Sequence, residues 1–495
     1  MTSQRLGYRF GPLERRGIFG AVHGGQVALL AAGALLAIAV LDRAPTAAGA
    51  FAATLIFVAA LILALAPMGR RTAADWAPVA SSFALRRARS RTRFRSHAPE
   101  RGMRLTPTGT APRHPIPDPP PALKDARIIQ ADYGGRPIGV VCSQRGRSLT
   151  AVIACRVLAF SLLDPEAQER RLARWGLVLS GTAGTPIRRI QWIERTAPAQ
   201  GDELARWLQE ERDPAVSPRG TPMIESYLDL IGATTRVTQE HEILLAIQID
   251  ARRVRDRGRG AALDTLIEQS ERVAKGLEAA EVGVLGALSP GQLARALRTA
   301  FDPYARAELA ALEAADPARN GLGEAAAWPL GARESWDSYQ TDGAVHATFW
   351  IGGWPRIEVS PAFMDTLLGR SNAVRAVAVT FEPIAVERST REVEAAITRD
   401  RADRELRRRF GQSETARQRQ AEEATVRREE ELAAGHGEVR LAGFVTVTGR
   451  DGDDLRRACA EILEHAARAR LELHRMYGQQ ADAFTFTLPV CRGLR

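Results

Sequence analysis

Two long runs of uncharged, mostly apolar residues lie close together near the amino terminus and limit what this chain can fold into. Residues 24–41 and 44–68 contain no charged side chain. Because an α-helix rises about 1.5 Å per residue, about 20 apolar residues cross the roughly 30 Å hydrocarbon core of a bilayer. The second run is long enough alone, and the first reaches that length with Ala21 and Val22. We therefore predict a transmembrane hairpin over residues 24–68, with helices at about 24–41 and 47–67.

Two other interpretations of the apolar runs stay open. The first run has the length of a signal peptide, although a second run follows at once and no clear cleavage site separates them. A buried helical hairpin in the core of a soluble protein would have a similar composition. The transmembrane hairpin is favoured because the second run exceeds what a core helix needs.

The arginines are concentrated around these runs. The chain has a formal net charge of +10 and a pI of about 10.1, which is typical of proteins that bind nucleic acid. Residues 1–104, however, contain 15 Arg and four acidic residues, whereas the rest of the chain contains 53 basic and 54 acidic residues. The positive charge therefore belongs to one fifth of the chain, and the remainder is nearly neutral.

Arginine side chains flank the pair of runs on both sides. Arg5, Arg9, Arg15 and Arg16 precede the first run. Because cytoplasmic flanks are enriched in Lys and Arg, we predict a multi-pass protein of the inner (plasma) membrane with both termini in the cytoplasm. The arginines after the second run are expected to face anionic lipid headgroups, and contact with nucleic acid is the less favoured alternative. These residues are Arg70, Arg71, Arg86, Arg87, Arg89, Arg91, Arg93 and Arg95.

The part after the membrane hairpin is predicted to be an α+β cytoplasmic body with a long charged helical segment. Seven prolines between residues 106 and 121 indicate a stiff linker and a domain boundary. The predicted segments are a basic N-terminus at 1–23, the transmembrane hairpin at 24–68, an Arg-rich juxtamembrane segment and linker at 69–124, an α+β domain at 125–390, the charged helical segment at 391–435, and a C-terminal strand–helix–strand at 436–495 that returns to the body.

Strands and helices of the body interleave without the regular rhythm of a parallel sheet. We predict a β-hairpin at 136–142 and 148–160, and further strands at 186–194, 242–249, 345–351, 374–381, 439–448 and 483–488. Helices are predicted to begin at Asp164-Pro165 and to cover about 222–231, 261–282, 289–301, 362–368 and 453–476. Asp451 is expected to cap the last of these helices rather than to hold a cation.

The charged segment has almost no apolar periodicity. Residues 391–431 contain 11 Arg and 11 acidic residues, and acid-to-Arg pairs recur at a spacing of four, which stabilises an exposed helix. We predict a solvated helix or helical hairpin that breaks near Gly411. It serves either as a spacer or as an interaction arm for a partner.

The residue patterns of common active sites are absent from the sequence. There is no GxxxxGK[ST] phosphate loop, no GxSxG nucleophile elbow and no HExxH zinc helix. The four cysteines are scattered and predict neither a disulfide framework nor a metal site. We therefore expect a protein that is not an enzyme and that has no catalytic, cofactor-binding or metal-binding residues.

Short motifs in the second half of the chain resemble a known family. In order, they include Asp342, Gly343 and His346, then Trp354 and Pro355, Glu382 and Pro383, Gly443, Gln479 and Gln480, and finally Leu488 and Pro489. This order resembles the N-terminal, non-ATPase domain of conjugation ATPases of the VirB4 type. The two apolar runs with their short basic lead resemble the small PrgI or VirB3 membrane subunit.

Together, these parts resemble an actinobacterial conjugation protein of a type IV secretion system. The resemblance implies an inner-membrane scaffold that docks a separate VirB4-like ATPase and other secretion subunits. It also implies a homo-oligomer within a larger complex, and it carries over no catalytic residue.

Two alternative functions stay open. EccE-like subunits of type VII secretion systems also have two N-terminal spans and a cytoplasmic body, so the chain is similar to them in layout. A membrane-anchored DNA-binding protein or membrane-bound enzyme is the third possibility. The DNA-binding alternative depends on the Arg-rich segment. The enzyme alternative has no recognisable set of active-site residues to support it.

Overall fold

The computed structural model is an α+β protein with a large antiparallel sheet, as the sequence predicts. It describes residues 24–65, 67–68, 71–96, 118–156, 160–198, 239–254, 260–306, 324–355, 357–369, 371–409, 416–434 and 437–494, with residues 222, 223, 226, 258 and 309. These residues form two compact units, a smaller one with residues 24–92 and 477–479 and a larger one with residues 93–476 and 480–494. The predicted domain boundaries stay predictions.

Most strands of the described residues belong to one sheet in the larger unit. Its order is β3-β10-β11-β12-β14-β13-β7-β8-β6-β5-β4, with β15 beside β12 and β9 beside β6. The strands are β1 (Pro67–Met68), β2 (Arg71–Thr72), β3 (Arg93–Arg95), β4 (Arg127–Tyr133), β5 (Arg136–Ser143), β6 (Ser148–Arg156), β7 (Ile187–Pro198), β8 (Gln239–Asp250), β9 (Gly283–Ala287), β10 (Gly331–Glu334), β11 (Tyr339–Thr341), β12 (Ala344–Gly353), β13 (Val374–Ile384), β14 (Glu438–Gly449) and β15 (Glu472–Arg475).

The helices divide between the two units, with three in the smaller unit and the rest in the larger. They are α1 (Gly24–Arg43), α2 (Ala47–Leu65), α3 (Ala73–Ala88), α4 (Pro165–Ser180), α5 (Ala261–Ala279), α6 (Pro290–Phe301), α7 (Asp365–Leu368), α8 (Val386–Arg409), α9 (Ala416–Ala433), α10 (Gly452–Arg468) and α11 (Gln480–Phe484).

Capping side chains fix where three of these helices begin, because they satisfy backbone N–H groups that lack a partner in the first turn. Asp164 accepts from the N–H of Ala167 at 2.8 Å and begins α4. Ser289 and Gln292 form a reciprocal capping box at the start of α6. Asp451 accepts from the N–H groups of Asp453 and Asp454, so its predicted role as a cap is confirmed.

The last 40 residues differ from the prediction in two places. The helix predicted at 453–476 ends at Arg468, because Arg470 has a left-handed φ of 58° and the chain turns back as β15 beside β12. The strand predicted at 483–488 is α11 followed by a short 3-10 turn. The short alternation of apolar and polar residues resembles a strand, but Phe484, Thr485 and Thr487 are all buried, so burial does not alternate along the segment.

Other predictions concern residues that lie partly or wholly outside the described ones. The helix predicted at 222–231 lies almost entirely outside them, as do the N-terminus at 1–23 and most of the proline-rich linker. The charged helical segment predicted at 391–435 stays a prediction as one element, because residues 410–415 also lie outside the described part.

The sheet of the larger unit is buried on both faces. Residues paired across β7 and β13 point to the same side, which puts Ile193 and Ala378 on one face and Ile190 and Phe381 on the other. On the first face, α6 packs with Leu293, Leu297 and Phe301 among the buried residues. On the second face, α4 and α5 cover one part of the sheet and α10 covers another.

Polar side chains on the first face hold the chain segment that follows α11. The Nε2 of Gln191 donates to the carbonyl of Phe486 at 2.7 Å, and its Oε1 accepts from the N–H of Cys491 at 2.8 Å. Gln248 donates to the carbonyl of Val490 at 3.2 Å. Arg189 donates to the carbonyls of Cys491 and Leu494 at 3.2 and 2.6 Å. These bonds replace a helix as the cover of this part of the sheet.

Replacing Gln191 by Leu tests this arrangement. The change leaves the carbonyl of Phe486 and the N–H of Cys491 buried without a partner, and it should lower the free energy of unfolding by roughly 2 kcal/mol or more. Chemical denaturation of the detergent-solubilised chain, followed by tryptophan fluorescence, measures the loss. The matched control is Gln130→Leu at an exposed position of β4, which should change stability by less than about 0.5 kcal/mol.

Candidate functional site

The hairpin of α1 and α2 exposes most of its large apolar side chains, and the few residues that it buries are mostly small. The alanines at 53, 60 and 64 are at most 8% exposed. Only 11% of the first apolar helix and 22% of the second are buried. A soluble protein places such side chains in its core, because exposed apolar area is costly in water. The exposed apolar residues include Leu35, Leu36, Ile38, Phe51, Leu55, Val58 and Ile62.

Close contact between the two helices depends on small residues. A Cβ at Gly33 would collide with the Cβ of Ala60, so glycine lets the two backbones approach. The side chain of Gln26 is 5% exposed and donates to the carbonyl of Ala64 at 3.0 Å. Small residues at the contact and a polar side chain bonded to the neighbouring helix are typical of helix pairs inside a bilayer.

Helix α3 follows the hairpin and carries some of the predicted lipid-facing arginines. Thr72 caps α3, and the backbone N–H of Thr72 donates to the carboxylate of Asp75 at 3.1 Å. Val79 and Phe83 are each 8% exposed and form the buried side of the helix. Arg87 is exposed in its last turn, and Arg86 is half-buried.

The other predicted lipid-facing arginines lie in three different places. Arg89 and Arg91 are exposed in the turn after α3. Arg93 and Arg95 are exposed on β3, which pairs with β10 as the outermost strand on that side of the sheet, a strand that sequence analysis did not identify. Arg71 lies on β2 without a described side chain, and Arg70 lies outside the described residues.

The first motif residues form a turn between β11 and β12. The carboxylate of Asp342 accepts from the N–H groups of Leu330 and Gly331 at 3.0 and 2.8 Å, and it pairs with Arg298. A Cβ at Gly343 would lie 2.6 Å from an oxygen of Asp302, so this position has no room for a side chain. Asp342 therefore holds α6 and the start of β10 against the turn between β11 and β12.

His346 is fully buried on β12. Its Nε2 lies 3.0 Å from the carbonyl of Phe301 and 2.9 Å from Oγ1 of Thr341, and its Nδ1 lies 2.9 Å from Oγ1 of Thr448. The carbonyl can only accept, so the neutral ring carries its proton on Nε2. Burial lowers the pKa of His346 to about 3, because the charged ring would lose its hydration. The side chain is thus a neutral structural hydrogen-bonding group.

Gln480 bonds to the backbone of β12. Its Oε1 accepts from the N–H of Thr348 at 2.8 Å, and its Nε2 donates to the carbonyls of Thr348 and Met476 at 3.3 and 3.0 Å. The amide of Gln480 therefore continues the row of backbone hydrogen bonds that β15 makes with β12. Gln479 is half-buried, and Leu488 and Pro489 are buried in the segment that covers the sheet.

The remaining motif residues also have structural contacts. Glu382 pairs with Arg189 at 3.0 Å. Pro383 lies beyond the residues of β13 that pair with β7, so its missing N–H removes no bond to that strand. A Cβ at Gly443 would collide with Ile351 and Trp354, so glycine makes room for Trp354. Pro355 is buried beside it.

A small cavity lies between α6 and the sheet. Its volume is about 30 Å³, which is room for one or two water molecules. Arg195 lines it and is held by an ion pair with Glu242 and a bond to the carbonyl of Ala296. Among the described residues, no group of three His, Cys, Asp or Glu side chains has the arrangement of a metal site.

Comparison with known families gives one match. The model of the EccE family, a type VII ESX secretion system translocon, matches residues 237–351, which is less than a quarter of the chain. This segment covers β8, α5, β9, α6, β10, β11 and most of β12. The comparison with curated proteins gives no match.

The EccE match shows that the type IV interpretation is wrong. Asp342, Gly343 and His346, which supported the resemblance to a VirB4-type domain, lie within the segment that matches EccE. Their contacts explain the error, because a turn aspartate, a crowded glycine and a buried histidine are requirements of this sheet and do not identify a conjugation protein. The comparison to PrgI or VirB3 rested on two apolar helices, which occur in many membrane proteins.

The low pKa of His346 predicts how stability depends on pH. In the unfolded chain the ring binds a proton below about pH 6.5, whereas in the folded chain it does so only near pH 3, so stability is complete above pH 6.5 and decreases toward pH 3. Between pH 7 and pH 5 this residue should account for a loss of about 2 kcal/mol.

His346→Gln retains an Nε2 donor but does not titrate in this range. Its free energy of unfolding should therefore decrease less between pH 7 and pH 5 than that of the wild type, when both are measured by urea denaturation. His241→Gln, at a partly exposed position, is the control and should behave as the wild type does. Equal pH dependence of the wild type and His346→Gln would contradict the assignment.

Proposed function

We propose that this chain is a membrane-anchored subunit of a type VII (ESX) secretion translocon and that it has no catalytic activity of its own. The match of residues 237–351 to the EccE family carries the proposal. The exposed apolar hairpin supports it, because a translocon subunit must be held in the membrane. The partners are then the other membrane subunits of that secretion complex.

The proposed topology has two spans in the inner (plasma) membrane and both termini in the cytoplasm. The large side chains of α1 and α2 face lipid, and the short connection after Arg43 reaches the opposite side of the membrane. Its charges, Asp42 and Arg43, cancel, whereas both outer flanks are rich in arginine.

The exposed arginines after the hairpin are proposed to contact anionic lipid headgroups. Arg87, Arg89 and Arg91 are exposed within a few residues of one another. Each such charge near a cytoplasmic leaflet contributes about 1 kcal/mol of attraction. This contact would stabilise the orientation that the positive flanks select.

The body is proposed to act by binding other proteins rather than by chemistry. The cavity beside Arg195 has room only for water, and the pKa of His346 is too low for the ring to exchange protons near neutral pH. The charged helices α8 and α9 are proposed to form one solvated helical segment that contacts a partner.

Cysteine labelling tests the topology. Ala44→Cys, between the two spans, should react with a membrane-impermeant maleimide on intact spheroplasts. Ser82→Cys, at an exposed position of α3, should react only after permeabilisation. Cys142, which is half-buried, is replaced by Ser in every form, and the chain with this change alone is the control, because Cys155, Cys459 and Cys491 are buried. The opposite labelling pattern would contradict the proposed orientation.

Gene deletion tests the function. Loss of this chain should abolish secretion of ESX substrates, and the wild type should restore it. Gly33→Leu should restore it several-fold less well, because a side chain at Gly33 collides with Ala60 and separates the spans. Ala32→Leu, at an exposed neighbouring position, should restore secretion fully. Normal secretion without the chain would overturn the proposal.

A further inference from the structure

Helices α8 and α9 pack against each other as an antiparallel pair. Oγ1 of Thr425 donates to the carboxylate of Asp400 at 3.3 Å, which puts these two residues at the same level of the pair. Val393 and Ala396 are buried at 2% and 6% exposure. The end of α8 and the start of α9 therefore lie together at the outer end, and the start of α8 lies near the end of α9.

The inner end of this pair is attached to β14 by charged groups. Glu438 accepts from Ser389 and pairs with Arg428. Arg440 pairs with Glu392 at 2.6 Å. Because these groups come from α8, α9 and β14, they fix the direction of the helical pair relative to the sheet.

Exposed charges of opposite sign lie at the two ends of the pair. Among the described side chains, the outer end (residues 398–427) exposes six arginines and two glutamates, and the inner end (386–397 and 428–433) exposes five glutamates and two arginines. The outer arginines are Arg401, Arg404, Arg408, Arg409, Arg419 and Arg427. The inner glutamates are Glu387, Glu394, Glu429, Glu430 and Glu431.

Three of the inner glutamates occupy an unfavourable position for an isolated helix. Glu429, Glu430 and Glu431 lie in the last turns of α9, where the partial negative charge of the helix terminus repels carboxylates. The arginines at the end of α8 are favourably placed by the same rule. The dipole of α9 therefore does not favour the acidic inner end, which suits an external cationic surface.

We propose that the α8–α9 pairs of two copies of this chain associate side by side in opposite directions. In that arrangement the outer arginines of each copy face the inner glutamates of the other, so one two-fold contact satisfies both ends. An acidic protein or a lipid surface would attract the outer end and repel the inner one. Helix α8 has 24 residues and is about 36 Å long, so its two ends lie several Debye lengths apart and act separately.

Membrane attachment makes this weak contact effective. The surface of the pair has few exposed apolar side chains, Val386 and Val426 among them, so its affinity in free solution is low. Two copies in one membrane have a high local concentration, which compensates for low affinity. The high local concentration rests on the membrane anchor of the proposed function, whereas the charge pattern of α8 and α9 does not depend on that anchor.

A charge-swap experiment tests the contact. The outer set is Arg401→Glu, Arg408→Glu and Arg419→Glu, and the inner set is Glu394→Arg, Glu429→Arg and Glu430→Arg. Two copies of the full chain with different tags are co-expressed, cross-linked in the intact membrane, solubilised in mild detergent and purified through one tag. Each set alone should reduce co-purification of the second tag by about tenfold or more, because like charges then face each other.

Recovery in two combinations is the decisive result. One copy with the outer set and one with the inner set should co-purify as the wild type does, and so should copies that carry both sets. High salt should weaken every form. Unchanged co-purification with either set alone would overturn the proposal. Loss that neither combination restores would also overturn it and would indicate an acidic partner or a lipid surface.

Two controls separate this result from misfolding and from the proposed function. Arg456→Glu with Arg457→Glu, at exposed positions of α10, should leave co-purification unchanged. Neutral sets carry Gln at the same six positions and replace the charge-reversed sets if reversed charges unfold the helices. Their co-purification should lie between that of the wild type and that of a charge-reversed set. Secretion is measured in parallel, so wild-type copies that do not co-purify while secretion still depends on the gene would overturn only this inference.

Discussion

The larger unit depends on satisfying polar groups inside a sheet that is buried on both faces. Gln191, Gln248 and Arg189 are buried on central strands, and each would be costly without a partner. The segment after α11 supplies those partners through its backbone. An extended segment, rather than a helix, covers this part of the sheet. Its residues Leu488 and Cys491 are therefore buried in the core. The same arrangement places α11 and Gln480 against β12.

In the smaller unit, most of the large apolar side chains of the hairpin are exposed rather than buried. In the sheet, large side chains such as Ile193 and Leu245 are buried, whereas in the hairpin Leu35 and Phe51 are exposed and the buried residues are mostly small. Such a reversal is stable only where the surroundings are themselves apolar. One chain thus contains parts suited to two solvents, and the arginines lie between them in sequence. The high positive charge near the amino terminus is typical of a nucleic-acid-binding protein. Here it is explained by its position at the boundary between these two parts.

Local signals in the sequence predicted the elements better than the contacts between them. The apolar runs, the strands at β8 and β14 and the cap at Asp451 follow from periodicity and residue type. Strand β3 was missed because three residues among many arginines carry no pattern, and α11 was misread because a short alternation also suits a covered turn. The partners of Gln191 lie about 300 residues away, so no local rule could find them. The motif residues were recognised, but their family was misassigned because their roles are structural.

The order of strands has a consequence for the segment that matches EccE. Strands β8 and β12 lie near the ends of that segment in sequence, yet β7, β13 and β14 stand between them in the sheet, and all three come from outside it. An excised segment would leave β8 without either of its neighbouring strands and β12 with β11 alone. The segment is therefore not a module that can be moved between proteins by itself. Any chain that shares it in this arrangement must supply three equivalent strands from elsewhere in its sequence.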